Sequence, residues 1–136
     1  MSITTNLKIL YIDDDSDDCI FLKESLADSG TEADLVCFQD GDDAIKYLNT
    51  NSKELLPSLI ILDLNMLGRD GKQTLNYLKS NPGLSDIPVV ILSTSENYMD
   101  MEFCKQRGAS GYMQKPFHYN GYKEIVKSCI PLMKVH

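Results

Sequence analysis

Short apolar runs alternate with longer amphipathic stretches along the whole chain, five times over. The runs span residues 8–12, 34–38, 59–62, 89–92 and 111–114, and the amphipathic stretches span residues 16–29, 42–49, 71–80, 98–107 and 119–133. This alternation is typical of repeated βα units around a parallel sheet. The third and fourth runs are continuously apolar, as in strands that helices cover on both faces. The sequence therefore predicts an α/β fold with a doubly wound, five-stranded parallel sheet.

Turn-forming residues punctuate this pattern where helices should end. Gly30, the Asn81-Pro82-Gly83 triplet and Gly108 follow the first, third and fourth amphipathic stretches, and such residues favour helix termination. No Pro/Ser-rich linker or internal repeat interrupts the 136 residues. We expect one domain over residues 1–136, with a folded core from about residue 7 to residue 132.

The charge balance excludes several classes of partner. The formal net charge is −7 and the isoelectric point is about 4.7, which argues against direct binding to nucleic acid or an anionic membrane. No apolar run approaches the roughly 20 residues that a membrane helix needs, and the opening MSITTN lacks the pattern of a signal peptide. We expect a cytoplasmic protein.

The four cysteines do not form a metal-binding pattern. Cys19, Cys37, Cys104 and Cys129 include no CxxC pair and are not closely spaced with a histidine, so a zinc site is not predicted. We expect all four to be small buried hydrophobic residues in a reducing compartment.

Polar residues follow four of the predicted strands at their carboxyl ends, where open α/β sheets place their functional groups. The segments that begin at these ends are Asp13-Asp14-Asp15, Asp63-Leu64-Asn65, Ser93-Thr94 and Lys115-Pro116. Carboxylates, a hydroxyl and an ammonium group should therefore converge on one rim of the sheet.

A purely structural role is open for some of these residues. Asp15 and Ser16 suit a turn and a helix N-cap. Asp13 and Asp14 fit such a role less well, because neighbouring carboxylates repel each other unless a cation neutralises them.

Asp63 and Lys115 present a further alternative, a plain buried ion pair between two strand ends. Such a pair would leave the two acids at the first strand unexplained. Ser93, taken alone, could simply satisfy a backbone group.

Together these groups suggest metal-assisted phosphoryl chemistry. Two or three carboxylates and a backbone carbonyl are the hard oxygen ligands that Mg²⁺ prefers, and a carboxylate can act as a nucleophile that forms an aspartyl phosphate. The transferred group needs its charge compensated, which Mg²⁺, Lys115 and Ser93 could supply. The sequence has neither GxxxxGK[ST] nor GxGxxG, so no nucleotide site is predicted.

Four segments in this order resemble the receiver domain of two-component response regulators, the CheY-like superfamily. They are ILYIDDDSDD, LIILDLNMLGRDG, IPVVILSTS and GASGYMQKPF. The resemblance extends from Leu7 to about Leu132 and implies the flavodoxin-like strand order 2-1-3-4-5. Within the family, the chain looks similar to stand-alone bacterial regulators that partner phytochrome-type or hybrid histidine kinases.

The resemblance implies a metal and phosphoryl site. Asp63 would be the phosphoacceptor, Asp14 a direct Mg²⁺ ligand and Asp13 a ligand acting chiefly through water. Asn65 would offer its backbone carbonyl to the metal, for which Mn²⁺ could substitute. Lys115 would pair with the phosphoryl group.

The resemblance also implies a switch. Ser93 would donate a hydrogen bond to the phosphoryl group, and Tyr112 would turn inward in response. The Lys115–Pro116 peptide bond is usually cis in the family, an isomer that is accessible chiefly before proline. Alternation along the strand places Tyr112 and Gln114 on one face of it.

The expected partners are a sensor histidine kinase or a phosphotransfer protein and a downstream protein. We expect no effector domain after the fifth helix, so the output should come from the surface of helix 4, strand 5 and helix 5. Both a monomer and a homodimer are open. The residues assigned to that surface, several of which could equally be core, are Tyr98, Met99, Tyr112, Gln114, Tyr119 and Tyr122.

Two positions depart from the family pattern. Leu67 replaces the usual proline after the phosphoacceptor, which predicts a less rigid loop. Thr94 replaces the commoner alanine beside Ser93 and adds bulk near Asp63. Both departures are expected to change rates, since neither removes a reacting group.

Two other function classes compete with this interpretation. An Mg²⁺-dependent phosphohydrolase with an aspartyl nucleophile would usually carry a general acid two residues after it, where this chain has Asn65. A docking module that is never phosphorylated would not need Asp13, Asp14, Asp63, Ser93 and Lys115 together. We therefore expect a signalling phosphoacceptor that catalyses only its own phosphotransfer and dephosphorylation, rather than an enzyme.

Overall fold

A computed structural model of the chain describes residues 7–50, 56–65 and 70–134. Its elements are β1 (Leu7–Ile12), α1 (Ser16–Asp28), β2 (Ala33–Phe38), α2 (Gly41–Thr50), β3 (Leu59–Leu62), α3 (Gly71–Ser80), β4 (Val89–Ser93), α4 (Tyr98–Gln106), β5 (Gly111–Gln114) and α5 (Gly121–Cys129), followed by a short 3-10 helix (Ile130–Leu132). Every predicted strand and helix is present, and most boundaries agree within two residues.

The five strands form one parallel sheet in the order β2-β1-β3-β4-β5. The predicted α/β class and the strand order are therefore confirmed. Ile12 is in register with Leu62, which is in register with Ile91. Because the strands are parallel and aligned, the residues after them emerge at the same edge of the sheet.

The core has two layers, one on each face of the sheet. One layer joins Leu10, Ile12 and other residues of the sheet to α2, α3 and α4, and the second joins Ile9 and Tyr11 to α1 and α5. Consecutive residues of β1 thus serve opposite layers, as the alternation of side chains along a strand requires. The continuous apolar run of β3 is explained because all four of its residues are buried.

Glycines and a proline set several helix ends. Gly30 and Gly108 have φ angles of 75° and 92°, the left-handed conformation that glycine adopts readily after a helix. The fifth helix is shorter than predicted and gives way to the 3-10 turn at Ile130. Pro131 accounts for this, since it has no backbone N–H to donate and its ring obstructs the preceding helical turn.

Two of the four cysteines differ from the prediction. Cys19 on α1 and Cys37 on β2 form a disulfide, with Cα atoms 6.4 Å apart. The spacing does not indicate this bond, because the two positions are 18 residues apart and are brought together only when α1 packs on the sheet. Cys104 and Cys129 are buried thiols, as expected, and burial raises their pKa to about 11 and about 12.

Among the described residues, no helix has both the length and the apolar character required to cross a membrane.

Candidate phosphoacceptor and metal site

Three carboxylates meet at the carboxyl edge of the central strands. Asp13 follows β1 and Asp63 follows β3, and the backbone N–H of Asp63 donates to the carbonyl of Ile12 over 2.9 Å. Asp13 and Asp63 are buried, whereas Asp14 is partly exposed. One oxygen from each of the three lies within 4.8 Å of the others. This group could bind a divalent cation through hard oxygen ligands.

Lys115 is the cation that the protein itself brings to this group. Its Nζ lies 2.7 Å from Asp13 Oδ2, 2.9 Å from Asp18 Oδ2 and 3.4 Å from Asp63 Oδ2. The sequence suggested Asp63 as the partner of Lys115, but in the structure Asp63 is the most distant of the three. Lys115 is therefore shared among carboxylates rather than paired with one.

Asp18 is a site residue that sequence reasoning missed. It lies in the first turn of α1, and its carboxylate accepts hydrogen bonds from Lys115 and, over 2.6 Å, from the hydroxyl of Tyr122. Acids are common in a first helical turn because they interact favourably with the positive end of the helix dipole. The sequence pattern therefore does not show that Asp18, rather than Asp17, belongs to the site. Asp15 caps the helix by accepting from the N–H of Asp17, which is the structural role that the sequence left open for it.

Two tyrosine hydroxyls border the carboxylates. Tyr11 is 1% exposed and donates to Asp13 Oδ2 over 2.6 Å. A signal for this contact existed, since residues two apart on a strand share a face. Tyr122 was assigned to the output surface, but it is buried between α1 and α5, because the stripe of α5 that faces the sheet includes it. Burial raises the pKa of both tyrosines, and the neighbouring carboxylates raise it further.

The electrostatics of the rim favour a cation beside Asp63. Burial, followed by the charge of Asp13, raises the pKa of Asp63 to about 6, although Lys115 acts in the opposite direction. Burial would lower the pKa of Lys115, but its hydrogen bonds to Asp13 and Asp18 outweigh this effect and raise the pKa. Lys115 is thus protonated, and its single charge does not balance the carboxylates around it.

Ser93 and Asn65 complete the rim next to Asp63. The N–H of Asn65 donates to Asp63 Oδ1 over 3.2 Å, and the side-chain amide of Asn65 lies 3.5 Å from the Ser93 hydroxyl. Ser93 is fully buried and accepts a hydrogen bond from the N–H of Ser95 over 3.1 Å. Thr94, between them, is exposed. The Ser93 hydroxyl therefore lies close both to Asn65, two residues after Asp63, and to the loop before α4.

The same loop contacts Tyr112. The Tyr112 hydroxyl donates to the carbonyl of Ser95 over 2.9 Å. Tyr112 packs against one core layer and Met113 against the other, as the alternation predicted. Tyr112 is thus connected to Ser93 through the single residue Ser95.

Gly71 lies unusually close to the backbone that follows β3. It is the first residue of α3, and its N–H donates to the carbonyl of Leu64 over 3.0 Å. A Cβ added here would overlap the backbone of Asp63 and Leu64. Only glycine lets α3 begin this close to the peptide that carries Asp63. Leu67, which departs from the family pattern, lies outside the described residues.

The predicted cis bond between Lys115 and Pro116 is wrong, because every peptide bond of the described residues is trans. The trans isomer is also favoured before proline, by about 0.5–1 kcal/mol. The N–H of Lys115 donates to the carbonyl of Ser93 over 2.8 Å. This hydrogen bond holds Lys115 at the end of β5, and the peptide bond that follows is trans.

Comparison with known proteins matches this arrangement to one family. The model of the response regulator receiver domain matches residues 9–127. The response regulator Rcp1 of Synechocystis sp. is 34% identical over 110 residues, which cover 79% of this chain and 75% of Rcp1. The transcriptional regulatory protein PrrA of Mycobacterium leprae is also 34% identical, and the match covers 81% of this chain and 44% of PrrA.

Solved structures agree with these relatives. The phosphorylated cyanobacterial phytochrome response regulator RcpA superimposes with a TM-score of 0.82 at 34% identity over 90% of each chain. The Mn²⁺-bound form of Rcp1 superimposes with a TM-score of 0.83 at 30% identity, covering 96% of this chain and 97% of Rcp1. The fold, the rim of carboxylates and these matches together place the chain in the family of response regulator receiver domains of two-component signalling.

Proposed function

We propose that this chain accepts a phosphoryl group on Asp63, in an Mg²⁺-dependent reaction, from a sensor histidine kinase or a phosphotransfer protein. The observation that carries the proposal is the position of the buried Asp63 carboxylate, beside Asp13, Asp14 and the ammonium of Lys115. The phosphorylated form of RcpA, a protein of the same fold and family, supports it.

The metal would be held by Asp13, Asp14, Asp63 and the backbone carbonyl of Asn65. When bound, Mg²⁺ supplies charge compensation at the transferred group. The donor set of carboxylate oxygens suits Mg²⁺, and Mn²⁺ has the same preference for oxygen ligands. Rcp1 has been solved with Mn²⁺ bound, which supports substitution of one ion for the other.

The reaction transfers one group between two nucleophiles. An ionised carboxylate oxygen of Asp63 forms a bond to phosphorus while the bond from phosphorus to the donor's imidazole nitrogen breaks, and the imidazole departs with that electron pair. Lys115 and the hydroxyl of Ser93 would stabilise negative charge on the phosphoryl oxygens. Water later attacks phosphorus, the bond from phosphorus to the Asp63 oxygen breaks, and inorganic phosphate leaves. The domain thus signals by its own phosphorylation state and does not turn over a separate substrate.

The signal would leave the site through Ser93 and Tyr112. A phosphoryl oxygen that accepts from Ser93 competes with the present partners of that hydroxyl, and Ser95 joins Ser93 to Tyr112. A change at Ser93 would therefore favour one position of Tyr112 over another. A partner would bind more tightly to the protein with Tyr112 in one of these positions.

A downstream protein would bind the face of α4, β5 and α5. Tyr98 and Met99 are 72% and 76% exposed, so α4 begins with two adjacent large side chains that a partner could contact. A homodimer through this face is one form of such an output. We place this action in the cytoplasm, with residues 1–136 working as one receiver domain.

Incubation of the protein with a small phosphodonor and Mg²⁺, followed by intact mass measurement, tests the proposal. The wild type should gain one phosphoryl group that hydroxylamine removes, and chelation of Mg²⁺ should prevent the gain. Asp63→Asn should gain none, whereas Asp34→Asn, which removes an exposed carboxylate on β2, should behave as the wild type. Equal labelling of Asp63→Asn and wild type would refute the assignment.

A further inference from the structure

Asp18 has no part in the proposed transfer, yet it binds Lys115, on which the transfer depends. Its carboxylate is 15% exposed and lies 2.9 Å from Lys115 Nζ, half an ångström closer than the 3.4 Å between Lys115 Nζ and Asp63. A lysine ammonium has three N–H donors. The three carboxylates around Lys115 can accept one hydrogen bond each from these donors, and the contact with Asp63 is the longest of the three.

The position of Asp18 is fixed by a second contact. The hydroxyl of Tyr122 donates to Asp18 Oδ1 over 2.6 Å, while Lys115 binds Oδ2. Tyr122 is 2% exposed and packs against Phe21, with ring centroids 5.7 Å apart. Both oxygens of Asp18 are therefore bonded, and the tyrosine that holds it is part of the core. This carboxylate cannot follow Lys115 without losing a bond.

We propose that Asp18 is a positioning residue that draws Lys115 away from the phosphoacceptor in the unphosphorylated protein, and that Lys115 must leave Asp18 to reach the phosphoryl group. The proposal rests on the proposed function. In this role Asp18 disfavours the phosphorylated state. Lys115 loses its contact with Asp18 when it binds the new phosphoryl oxygens, and this loss reduces the net gain from binding them.

Two consequences of opposite sign follow from the charges. Removing the Asp18 charge frees Lys115, which strengthens binding of an anionic group at Asp63. The same change leaves less negative charge beside Asp13 and Asp14, which weakens binding of a divalent cation alone. A defect in folding or packing would instead weaken both kinds of binding.

The test uses Asp18→Asn and two titrations monitored by calorimetry. The first titrates Mg²⁺ alone; the second titrates beryllofluoride, a mimic of the phosphoryl group, at saturating Mg²⁺. We expect the dissociation constant for Mg²⁺ to rise about threefold and that for beryllofluoride to fall about fivefold, within the range of Coulomb interactions at a partly exposed site. Asp17→Asn, an exposed neighbour on the same helix, is the matched control and should change the beryllofluoride affinity by less than about twofold.

A crystal structure of Asp18→Asn gives an independent readout. The distance from Lys115 Nζ to Asp63 should shorten from 3.4 Å to about 2.8 Å, the usual length of a charge-assisted hydrogen bond. Asp18→Ala should shift the two affinities in the same directions and serves if the first variant is poorly folded.

Unchanged or weaker beryllofluoride binding in both Asp18 variants overturns the positioning role. The proposed function fails separately, if wild type and Asp63→Asn bind beryllofluoride alike, and the role of Asp18 then fails with it.

Discussion

The rim of the sheet divides into two halves that differ in charge. The ionic half consists of Asp13, Asp14, Asp18, Asp63 and Lys115. The hydroxyl half consists of Ser93, Ser95 and Tyr112.

The ionic half has one lysine within bonding distance of three carboxylates, so it carries an excess of negative charge. The hydroxyl half is uncharged and is joined by hydrogen bonds of 3.1 Å and 2.9 Å through one residue. In the proposed function, metal binding and phosphoryl transfer thus depend on the unbalanced charges of the ionic half, whereas transmission of the signal depends on hydrogen bonds that are already formed in the hydroxyl half. The effect of a substitution in the ionic half on stability should therefore depend strongly on metal and on pH. The effect of a substitution in the hydroxyl half should depend on neither.

The largest expected effect concerns the covalent link beside the ionic half. Cys19 follows Asp18 directly and ties α1 to β2 through Cys37. A disulfide that closes a loop of this size stabilises a fold by about 3 kcal/mol, chiefly by restricting the unfolded chain. We expect Cys37→Ser, or a reductant added to wild type, to lower the free energy of unfolding in urea by that amount.

The Cys37→Ser protein itself should be insensitive to the reductant. If oxidised and reduced wild type unfold at the same urea concentration, the disulfide does not stabilise the fold.

Next in size is the pH dependence of the metal-free protein. The pKa of Asp63 is raised in the folded state, to about 6, so its protonated form is favoured by folding. This contribution to stability is fully present below the unfolded pKa of about 4 and is lost as the pH rises through about 6.

Asp63→Asn lacks this titration. Without metal, it should be more stable than wild type by about 2 kcal/mol at pH 8 and nearly equal to it at pH 4. Urea unfolding in the presence of a chelator, at several pH values, measures the difference. A constant difference between the two proteins would mean that Asp63 does not titrate in this window.

Neutralising Asp14 should have a smaller effect of the same kind. Because Asp14 is partly exposed, Asp14→Asn or Asp14→Lys should raise the stability of the metal-free protein by about 1 kcal/mol, by relieving repulsion from Asp13 and Asp63. The stabilisation that Mg²⁺ gives to wild type should be reduced in either variant.

Thermal unfolding with and without Mg²⁺ tests the effect of Asp14. Equal stabilisation of mutant and wild type by Mg²⁺ would remove Asp14 from the ligand set.

The smallest effects on stability are expected in the hydroxyl half. Tyr112→Phe removes one hydrogen bond, to the Ser95 carbonyl, and should lower the free energy of unfolding by about 1 kcal/mol or less, independently of Mg²⁺.

The effect of the hydroxyl half on signalling should be larger. Beryllofluoride should shift partner affinity or dimerisation in wild type, and should shift it less in Ser93→Ala and Tyr112→Ala. If the shift is the same in all three proteins, the signal does not pass through Ser93 and Tyr112.

The sequence predicted the fold closely because the apolar periodicity and the turn residues agree with each other. It also predicted the members of the rim that lie immediately after strands, such as Asp13, Asp63 and Lys115, since parallel strands bring their carboxyl ends together. The contact between Tyr11 and Asp13 was within reach of the same reasoning, through the shared face of β1.

Contacts between elements distant in the chain were out of reach. Asp18 meets Lys115 and Tyr122 only because α1 and α5 pack side by side, and the helix pattern does not give their rotation about each other. The link between Cys19 and Cys37 has the same origin. Local sequence also does not determine the isomer before Pro116, because the two forms differ by only about 0.5–1 kcal/mol.

Gly71 has no side chain, yet the backbone around it restricts the choice of residue at this position as strictly as chemistry restricts it at a reacting residue. Any side chain at this position would displace the backbone of Asp63 and Leu64. In a library of random single substitutions selected for phosphorylation, position 71 should therefore tolerate as few replacements as position 63. Such a library would identify the boundary of the site around Asp63 by the space that the site requires as well as by its chemistry.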